Sequence, residues 1–215
     1  MKSALDVHHL LLSRGVSHEL VRTTTRAVSA DDLPRALGTP GSSCVVVRCF
    51  TVQDCRTADG SAVHLVAVLL QAGQSPDRDA LELALQTAAV RLATPDEINM
   101  HTGFGAAFVS PVGLPEDVAV LADTPLTRLD RLYAAVGEGG LALAIGSRDL
   151  LVATGARVAR LTTVDPSSLD VANQDAATGP AAPTRDDLPV QLPAEATARV
   201  IALDDRRFPA RRFTG

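Results

Sequence analysis

The chain of 215 residues is 46% hydrophobic, which is enough apolar sequence for one compact domain with a substantial core. It contains no run of 18 apolar residues, so the sequence predicts no membrane partner. A net charge of −5 and an aromatic content of 3% argue against DNA binding, but they allow a small site that recognises one end of a nucleic acid.

The first residues and the cysteines indicate the cellular compartment. The N-terminal sequence "MKSALDVHHLLLSRG" places charged and histidine residues where a signal peptide needs an unbroken apolar stretch. The cysteines Cys44, Cys49 and Cys55 have no CxxC spacing, which argues against a disulfide framework. We therefore expect a cytoplasmic protein.

The N-terminal half predicts helices alternating with strands. Apolar spacing indicates a helix over 4–14 that Gly15 ends, and Ser29 is predicted to cap a second helix that reaches Leu37. The predicted strands cover 17–23, 43–52 and 61–70, and "ADG" between the last two indicates a hairpin.

The second half continues the mixed pattern. A helix is expected over 77–89, a short strand at "VRLA", and a further helix that Thr94 caps. Strands follow at 118–123, 131–137 and 141–146, then a helix capped by Ser147 and a last strand at "ARVARLT". This order predicts the α+β class, with a strongly curved, barrel-like mixed sheet surrounded by helices.

The composition changes after Val164. Residues 165–215 hold eight acidic residues, six Arg and six Pro without sustained periodicity, so we expect a domain over 1–164 and a flexible tail. The tail ends in "RRFPARR", which is either a solvated segment or a phosphate-binding arm.

Side chains suited to catalysis or metal binding do not cluster in the sequence. His8, His9, His18 and His64 are interpreted as surface or packed residues, and only His101 adjoins a segment of interest. The cysteines are predicted to be inert and on different strand faces, so no metal site is expected. Ser110 lacks the Gly-x-Ser-x-Gly context of a nucleophile, and "GFGAAF" lacks the third glycine of a dinucleotide site.

The segment "TGFGAAFVSPVGLP", residues 102–115, is called the glycine-rich loop. Small side chains leave backbone N–H and C=O groups open to close approach by a ligand, and such donors stabilise negative charge. A tight connection between core strands is the alternative interpretation.

Several segments in a fixed order resemble the YbaK/EbsC family, the free-standing relatives of the editing domain of bacterial prolyl-tRNA synthetase. Between about residues 5 and 161 the matching segments are "RGVSHELV", "LG" at 37–38, "SCVVVRCF" with "HLVAVLL", "ATPDEIN…TG", "FVSPVG", "VLAD" and "GEGGLALAIGSRDLL". The resemblance implies hydrolysis of the ester between a wrongly attached small amino acid and the 3′ end of a mischarged tRNA, without a cofactor. Proline tRNA is the implied substrate, and prolyl-tRNA synthetase is a possible partner.

The resemblance also implies which residues form the site. The small residue four before the loop proline is Ala107, and its backbone would act on the ester together with that of Ser110. The implied substrate-binding residues are Thr23, Ser43, Arg48, Thr102, Gly103, Phe108, Pro111, Gly137, Gly139 and Gly140. Orientation and the ribose hydroxyl of the substrate, rather than a protein nucleophile, would supply the chemistry.

This sequence departs from the family at functional positions. The family lysine falls at or near Ser43, its loop glycine at Ala107 and its early tyrosine at Thr23. Its acidic residue and serine at the later hairpin fall at Ala142 and Ala135. Arg48 is the nearest strand residue able to replace the lysine, and we expect it to share a strand face with Ser43.

Two hypotheses follow from these departures. An active deacylase with an altered amino-acid preference would release the amino acid from a mischarged tRNA and would lose activity when Ser110 or Arg48 is changed. A divergent binding module would bind a tRNA end or a small aminoacyl compound without turnover.

Overall fold

A single mixed sheet organises the computed structural model, which describes residues 1–53, 63–87 and 90–162. The α-helices of these residues are α1 (Ala4–Ser13), α2 (Leu33–Leu37), α3 (Arg78–Leu85), α4 (Pro95–Thr102) and α5 (Ser147–Thr154). The strands are β1 (His18–Arg22), β2 (Cys44–Gln53), β3 (Val63–Gln71), β4 (Val90–Leu92), β5 (Ala119–Asp123), β6 (Arg131–Ala135), β7 (Leu141–Gly146) and β8 (Arg157–Ala159).

The strand order is β1-β7-β6-β2-β3-β5-β8, and β4 pairs with β2 outside this path. The pairs β2–β6, β3–β5 and β5–β8 are parallel, and the remaining pairs are antiparallel. The predicted mixed sheet with helices is confirmed. The sheet is not closed into a barrel, because within the described residues β1 pairs only with β7 and β8 only with β5.

Helices and loops cover both faces of the central strands. Val45 and Cys49 of β2 point into a cluster that includes α1, α5 and part of the glycine-rich loop. Cys44, Val46 and Phe50 point into a second cluster on the opposite face, which includes α2 and Leu81 of α3. Burial on both faces explains why β2 reads as a nearly continuous apolar run rather than as an alternating one.

Most of the predicted helix ends are confirmed. Gly15 follows α1 with a φ of 65°, and Ser29 forms a capping box with Asp32. Thr94 accepts the N–H of Glu97 at 3.3 Å at the start of α4. The prediction for Ser147 is wrong, since Gly146 is the N-cap of α5 and the buried Ser147 hydroxyl instead donates to the Leu126 carbonyl.

Two predicted elements are shorter in the structure than in the sequence analysis. The helix expected over 77–89 ends at Leu85, because Gln86 takes a left-handed φ of 56°. The strand expected over 131–137 ends at Ala135, and Gly137 turns the chain with a φ of 92°. The "ADG" hairpin, Cys55 and the end of that predicted helix at 88–89 lie outside the described residues.

The last described residues are attached to the sheet. Leu161 is fully buried, and its N–H donates to Asp123 Oδ1 at 2.9 Å. The Thr162 hydroxyl donates to Asp123 Oδ2 at 2.5 Å. The predicted tail, 165–215, and its arginines lie outside the described residues, so the domain boundary at 164 stays a prediction. None of the helices in the described residues has the length and apolar character to cross a membrane.

Candidate functional site

Helix α4 sets the start of the glycine-rich loop. Gly103 ends the helix in a left-handed conformation with a φ of 75°, which glycine adopts without steric cost. The buried Thr102 hydroxyl donates to the Ile98 carbonyl at 2.7 Å and accepts the Phe104 N–H at 3.0 Å. Thr102 and Gly103, two predicted site residues, therefore shape the loop rather than present side chains to solvent.

The centre of the loop is a single 3₁₀ turn, Ala106–Phe108, which contains no buried residue and which we call the loop tip. The Ala106 N–H donates to Asn99 Oδ1 at 2.8 Å, and the Phe108 N–H donates to the Gly105 carbonyl at 2.9 Å. Ala107 is exposed at the centre of the tip. A ligand can thus approach the main chain at Ala107 past a single methyl group.

The second half of the loop is packed into the core. Val109, Ser110 and Val112 are 3%, 0% and 0% exposed, and Pro111 is also buried. The Ser110 Oγ accepts the N–H of Val112 at 3.2 Å. The structure therefore separates Ser110 and Pro111 from the surface that Ala107 forms, although the sequence analysis grouped the three residues.

The turn between β6 and β7, residues 137–140, lies against the loop tip and is called the glycine turn here. The Gly137 N–H donates to the Phe108 carbonyl at 3.0 Å. A Cβ on Gly139 would overlap the Ala27 carbonyl oxygen and would lie 2.9 Å from Phe108 Cζ, so only glycine fits there. Gly140 is exposed, and a Cβ on it would have no neighbour within 4 Å.

Thr23 supports the glycine turn from the end of β1. Its N–H donates to the Gly140 carbonyl at 3.2 Å, and its hydroxyl donates to the Gly139 carbonyl at 3.2 Å. The structure thus brings Thr23, the glycine turn and the loop tip together, as the resemblance implied. The Thr23 hydroxyl donates its hydrogen bond to the backbone, so in this structure it stabilises the glycine turn.

The two predicted residues near β2 do not share a strand face. Ser43 ends the 3₁₀ turn Gly41–Ser43 before the strand begins, and Arg48 is five residues later, an odd offset. Arg48 lies on the face of Val46 and Phe50, and Phe108 packs against the cluster on that same face. The predicted common face of Ser43 and Arg48 is therefore wrong, but Arg48 and the loop tip are on one side of the sheet.

Arg48 is already paired with a carboxylate. Its two terminal nitrogens donate to the two oxygens of Asp31 at 2.8 and 2.6 Å. The side chains of Arg48 and Asp31 are 33% and 39% exposed, so this pair is reached by solvent. A bidentate pair fixes the guanidinium plane and leaves further N–H donors for an anion.

A cavity of about 400 Å³ lies on the other flank of the loop. Pro111, Gly113 and Leu114 line it together with Arg14 and the end of α5. Ala107 and the glycine turn are not among its lining residues. The loop therefore has two distinct surfaces, a concave one beside α5 and an open one at the tip.

The histidines and cysteines do not form a metal site among the described residues. His18 Nε2 is 2.8 Å from His8 Nδ1, while His64 and His101 are exposed. Cys44 and Cys49 lie in opposite core clusters, as predicted. Burial raises the pKa of the Cys49 thiol to about 11, which keeps it protonated and unreactive at neutral pH.

The fold is shared with solved structures of low sequence identity. The hypothetical protein APE2540 is 23% identical with a TM-score of 0.64, over 73% of this chain and 99% of that chain. A protein described as a candidate trans-editing enzyme for prolyl-tRNA synthetase is 25% identical with a TM-score of 0.60, over 75% of this chain and 97% of that chain. No curated protein sequence matches the chain.

The open mixed sheet, the glycine-rich loop and the glycine turn define an editing-domain fold. Residues 24–153 match the aminoacyl-tRNA editing domain family, and this range contains the loop, the turn and Arg48. The match covers more than half of the sequence, so the chain belongs to the aminoacyl-tRNA editing domain family.

Proposed function

We propose that the protein is a trans-acting deacylase that hydrolyses the ester of a small amino acid wrongly attached to proline tRNA. Membership of the editing domain family supports an aminoacyl-tRNA substrate. The neighbour described as a candidate trans-editing enzyme for prolyl-tRNA synthetase supports proline tRNA and that synthetase as a partner. The observation that carries the proposal is the exposed position of Ala107 beside the glycine turn, whose Gly137 N–H donates to the Phe108 carbonyl.

The proposed mechanism uses the main chain of the loop tip and the substrate itself. The aminoacyl carbonyl would lie against the backbone at Ala107, where a preorganised dipole stabilises the charge that develops on the oxygen. The vicinal ribose hydroxyl of the terminal adenosine would orient the attacking water. Ester hydrolysis has a modest intrinsic barrier, so orientation of the reactants supplies much of the acceleration.

Arg48 is the proposed anchor for the phosphates of the tRNA end. It lies on the sheet face against which Phe108 packs, and its pairing with Asp31 holds the guanidinium in one plane. A cation of fixed orientation binds a phosphate oxygen with little loss of side-chain entropy. In this role Arg48 replaces the family lysine that the sequence lacks at Ser43.

A binding module without turnover is the second candidate. The substitutions of the family lysine and loop glycine favour it, because the methyl group of Ala107 occupies space at the exposed tip. Such a module would retain the aminoacyl-tRNA without releasing its amino acid. Release of free amino acid therefore distinguishes the two functions.

The deciding experiment incubates the purified chain of 215 residues with a panel of mischarged tRNAs. Alanyl- and cysteinyl-tRNA specific for proline come first, with correctly charged prolyl-tRNA as the reference substrate. We expect the protein to release alanine or cysteine catalytically and to leave prolyl-tRNA charged. Binding of the mischarged tRNA without release of amino acid would instead establish the binding module.

Two variants test the assigned roles in the same assay. Ala107→Val adds bulk at the proposed ester site. We expect kcat/KM to fall about 100-fold, which is the loss that a misplacement of the substrate by about 1 Å causes.

Arg48→Met tests the phosphate contact. It should raise KM and make KM less dependent on salt, because one phosphate contact is lost. Asp31→Asn is the matched control, since it removes the ion pair but keeps the cation. A rise in KM for Asp31→Asn equal to that for Arg48→Met would contradict the phosphate role.

A further inference from the structure

We propose that Lys2 is a positioning residue, which clamps the two ends of the glycine-rich loop and thereby holds the loop tip in its reactive geometry. Lys2 is the only lysine in the sequence, and it lies outside the segments that resemble the family. The inference rests on the proposed function, because it assigns Lys2 to the same site.

The ammonium group of Lys2 joins two distant points of the loop. Its Nζ donates to the carbonyl of Thr102 at 3.0 Å and to the carbonyl of Gly113 at 2.6 Å. One carbonyl ends α4, and the other lies past the buried residues of the loop. Hydrogen bonds from a charged donor are about twice as strong as those between neutral groups.

The ammonium group also lies near an aromatic ring and a helix C-terminus. The Nζ lies 5.4 Å from the centroid of the Phe104 ring, and this ring is fully buried. The Thr102 carbonyl is at the C-terminus of α4, where the helix dipole places partial negative charge. A neutral side chain at position 2 would leave both carbonyls without this donor.

The backbone of Lys2 extends the clamp to the glycine turn. Its N–H donates to the Gly103 carbonyl at 2.8 Å. Its own carbonyl oxygen would be 2.7 Å from a Cβ on Gly137, the residue whose N–H binds the Phe108 carbonyl. Lys2 therefore contacts the start of the loop, its end and the turn that supports its tip.

The test compares Lys2→Met with wild type in hydrogen exchange and in deacylation kinetics. Methionine keeps an unbranched stem beside Gly103 but donates no hydrogen bond. We expect the amides of 103–110 and of 112 to exchange at least about tenfold faster, because the variant loses both hydrogen bonds from the charged donor. We expect kcat to fall about tenfold with KM within about twofold, since a loosened tip affects the transition state more than binding.

Two further variants make the outcome decisive. Arg78→Met removes one positive charge from the exposed face of α3 and should change neither readout. Lys2→Arg keeps the charge, and we expect its exchange to stay within about threefold of wild type. Unchanged exchange in Lys2→Met, or Lys2→Arg exchanging as fast as Lys2→Met, would overturn the clamp. A raised KM at constant kcat would also overturn it, because Lys2 would then bind substrate directly.

The two readouts separate the clamp from the proposed function. If the wild-type protein releases no amino acid from any mischarged tRNA, the deacylase proposal fails. Hydrogen exchange then still decides whether Lys2 holds the loop.

Discussion

At the scale of single residues, the structure gives Ser110 a structural role that the sequence does not reveal. Ser110 follows the loop tip, and the resemblance implies a role at the ester for its backbone rather than for its hydroxyl. In the structure its side chain is fully buried, and its oxygen accepts the N–H of the equally buried Val112. The hydroxyl therefore satisfies a backbone donor that would otherwise be left unpaired in the core.

This contact predicts the behaviour of Ser110→Ala. We expect the free energy of unfolding to fall by about 1–3 kcal/mol, because a buried N–H loses its partner. The kcat of the folded protein should change far less than the roughly 10⁴-fold or greater loss that follows removal of a nucleophile. Denaturant unfolding and deacylation of alanyl-tRNA specific for proline measure the two effects.

Ser147→Ala is the matched control for Ser110→Ala, since its buried hydroxyl binds the Leu126 carbonyl away from the loop. It should destabilise the fold without altering turnover. A Ser110→Ala protein of normal stability but without activity would show that the hydroxyl takes part in the reaction.

At the scale of elements, α4 is the support on which the loop begins. Its first turn contains the capping box of Thr94 and Glu97, and Arg91 of β4 donates to both oxygens of Glu97 at 3.0 and 2.6 Å. The hydrogen bonds from Arg91, followed by the backbone N–H of Thr94, lower the pKa of Glu97 from 4.5 to about 2. The start of α4 is thus attached to β4 through an ionised carboxylate.

The lowered pKa of Glu97 predicts how stability depends on pH. A carboxyl whose pKa is depressed by folding stabilises the native state above its unfolded pKa of 4.5, and this stabilisation is lost as the pH falls towards about 2. We expect Glu97→Gln to be less stable than wild type at pH 6, and the difference to disappear near pH 2. Urea unfolding of both proteins at several pH values measures this difference in the free energy of unfolding.

Arg91→Gln provides the control for this prediction, because Arg91 is the largest cause of the pKa shift. In that background the pH-dependent part of the Glu97→Gln effect should shrink. An effect of equal size in both backgrounds would assign the lowered pKa to the helix start alone.

At the scale of the whole molecule, the sheet is completed by the last described segment. β8 pairs with β5, Leu161 is buried, and Asp123 binds both the Leu161 N–H and the Thr162 hydroxyl. The "VLAD" segment at 120–123 thus ends in an acid that binds the last described residues. These contacts lie before residue 164, where the sequence predicts the boundary.

Truncation tests this boundary. We expect a chain that ends at residue 164 to keep the melting temperature of the full chain, because it retains Leu161, Thr162 and their contacts with Asp123. A chain that ends at residue 159 is the control, and it should lose about 2–5 kcal/mol of stability through the emptied Leu161 site. A large fall in melting temperature for the first truncation would contradict the boundary.

Truncation also tests the arginines at 206–212. If they bind tRNA, the chain that ends at residue 164 should bind tRNA more weakly and with a smaller salt dependence.

Local signals in the sequence were sufficient for most elements. The helix starts at Ser29 and Thr94 could be predicted from the sequence, because a capping side chain and its partner are three residues apart. The end of α1 at Gly15 could be predicted because a left-handed residue after a helix is usually glycine. Ser147 was misassigned because a serine at a helix start can serve the helix or a distant carbonyl, and only packing against Leu126 decides between them.

The candidate site was only partly predictable, for a related reason. The order of motifs was sufficient to predict that the loop, the glycine turn and Thr23 lie close together. It did not reveal that Ser110 and Pro111 are buried, that Arg48 is paired with Asp31, or that Lys2 reaches the loop. Contacts such as that between Lys2 and Gly113 join residues far apart in the chain, and no local pattern records them.

The sequence by itself determined the class of fold, the order of its elements and the family to which the chain belongs, because periodicity, capping residues and motif order are local properties. Tertiary structure alone decided that the sheet stays open and that Ala107 is the one exposed residue of the glycine-rich loop. These features depend on which distant surfaces become buried together, and burial is a property of the folded chain as a whole.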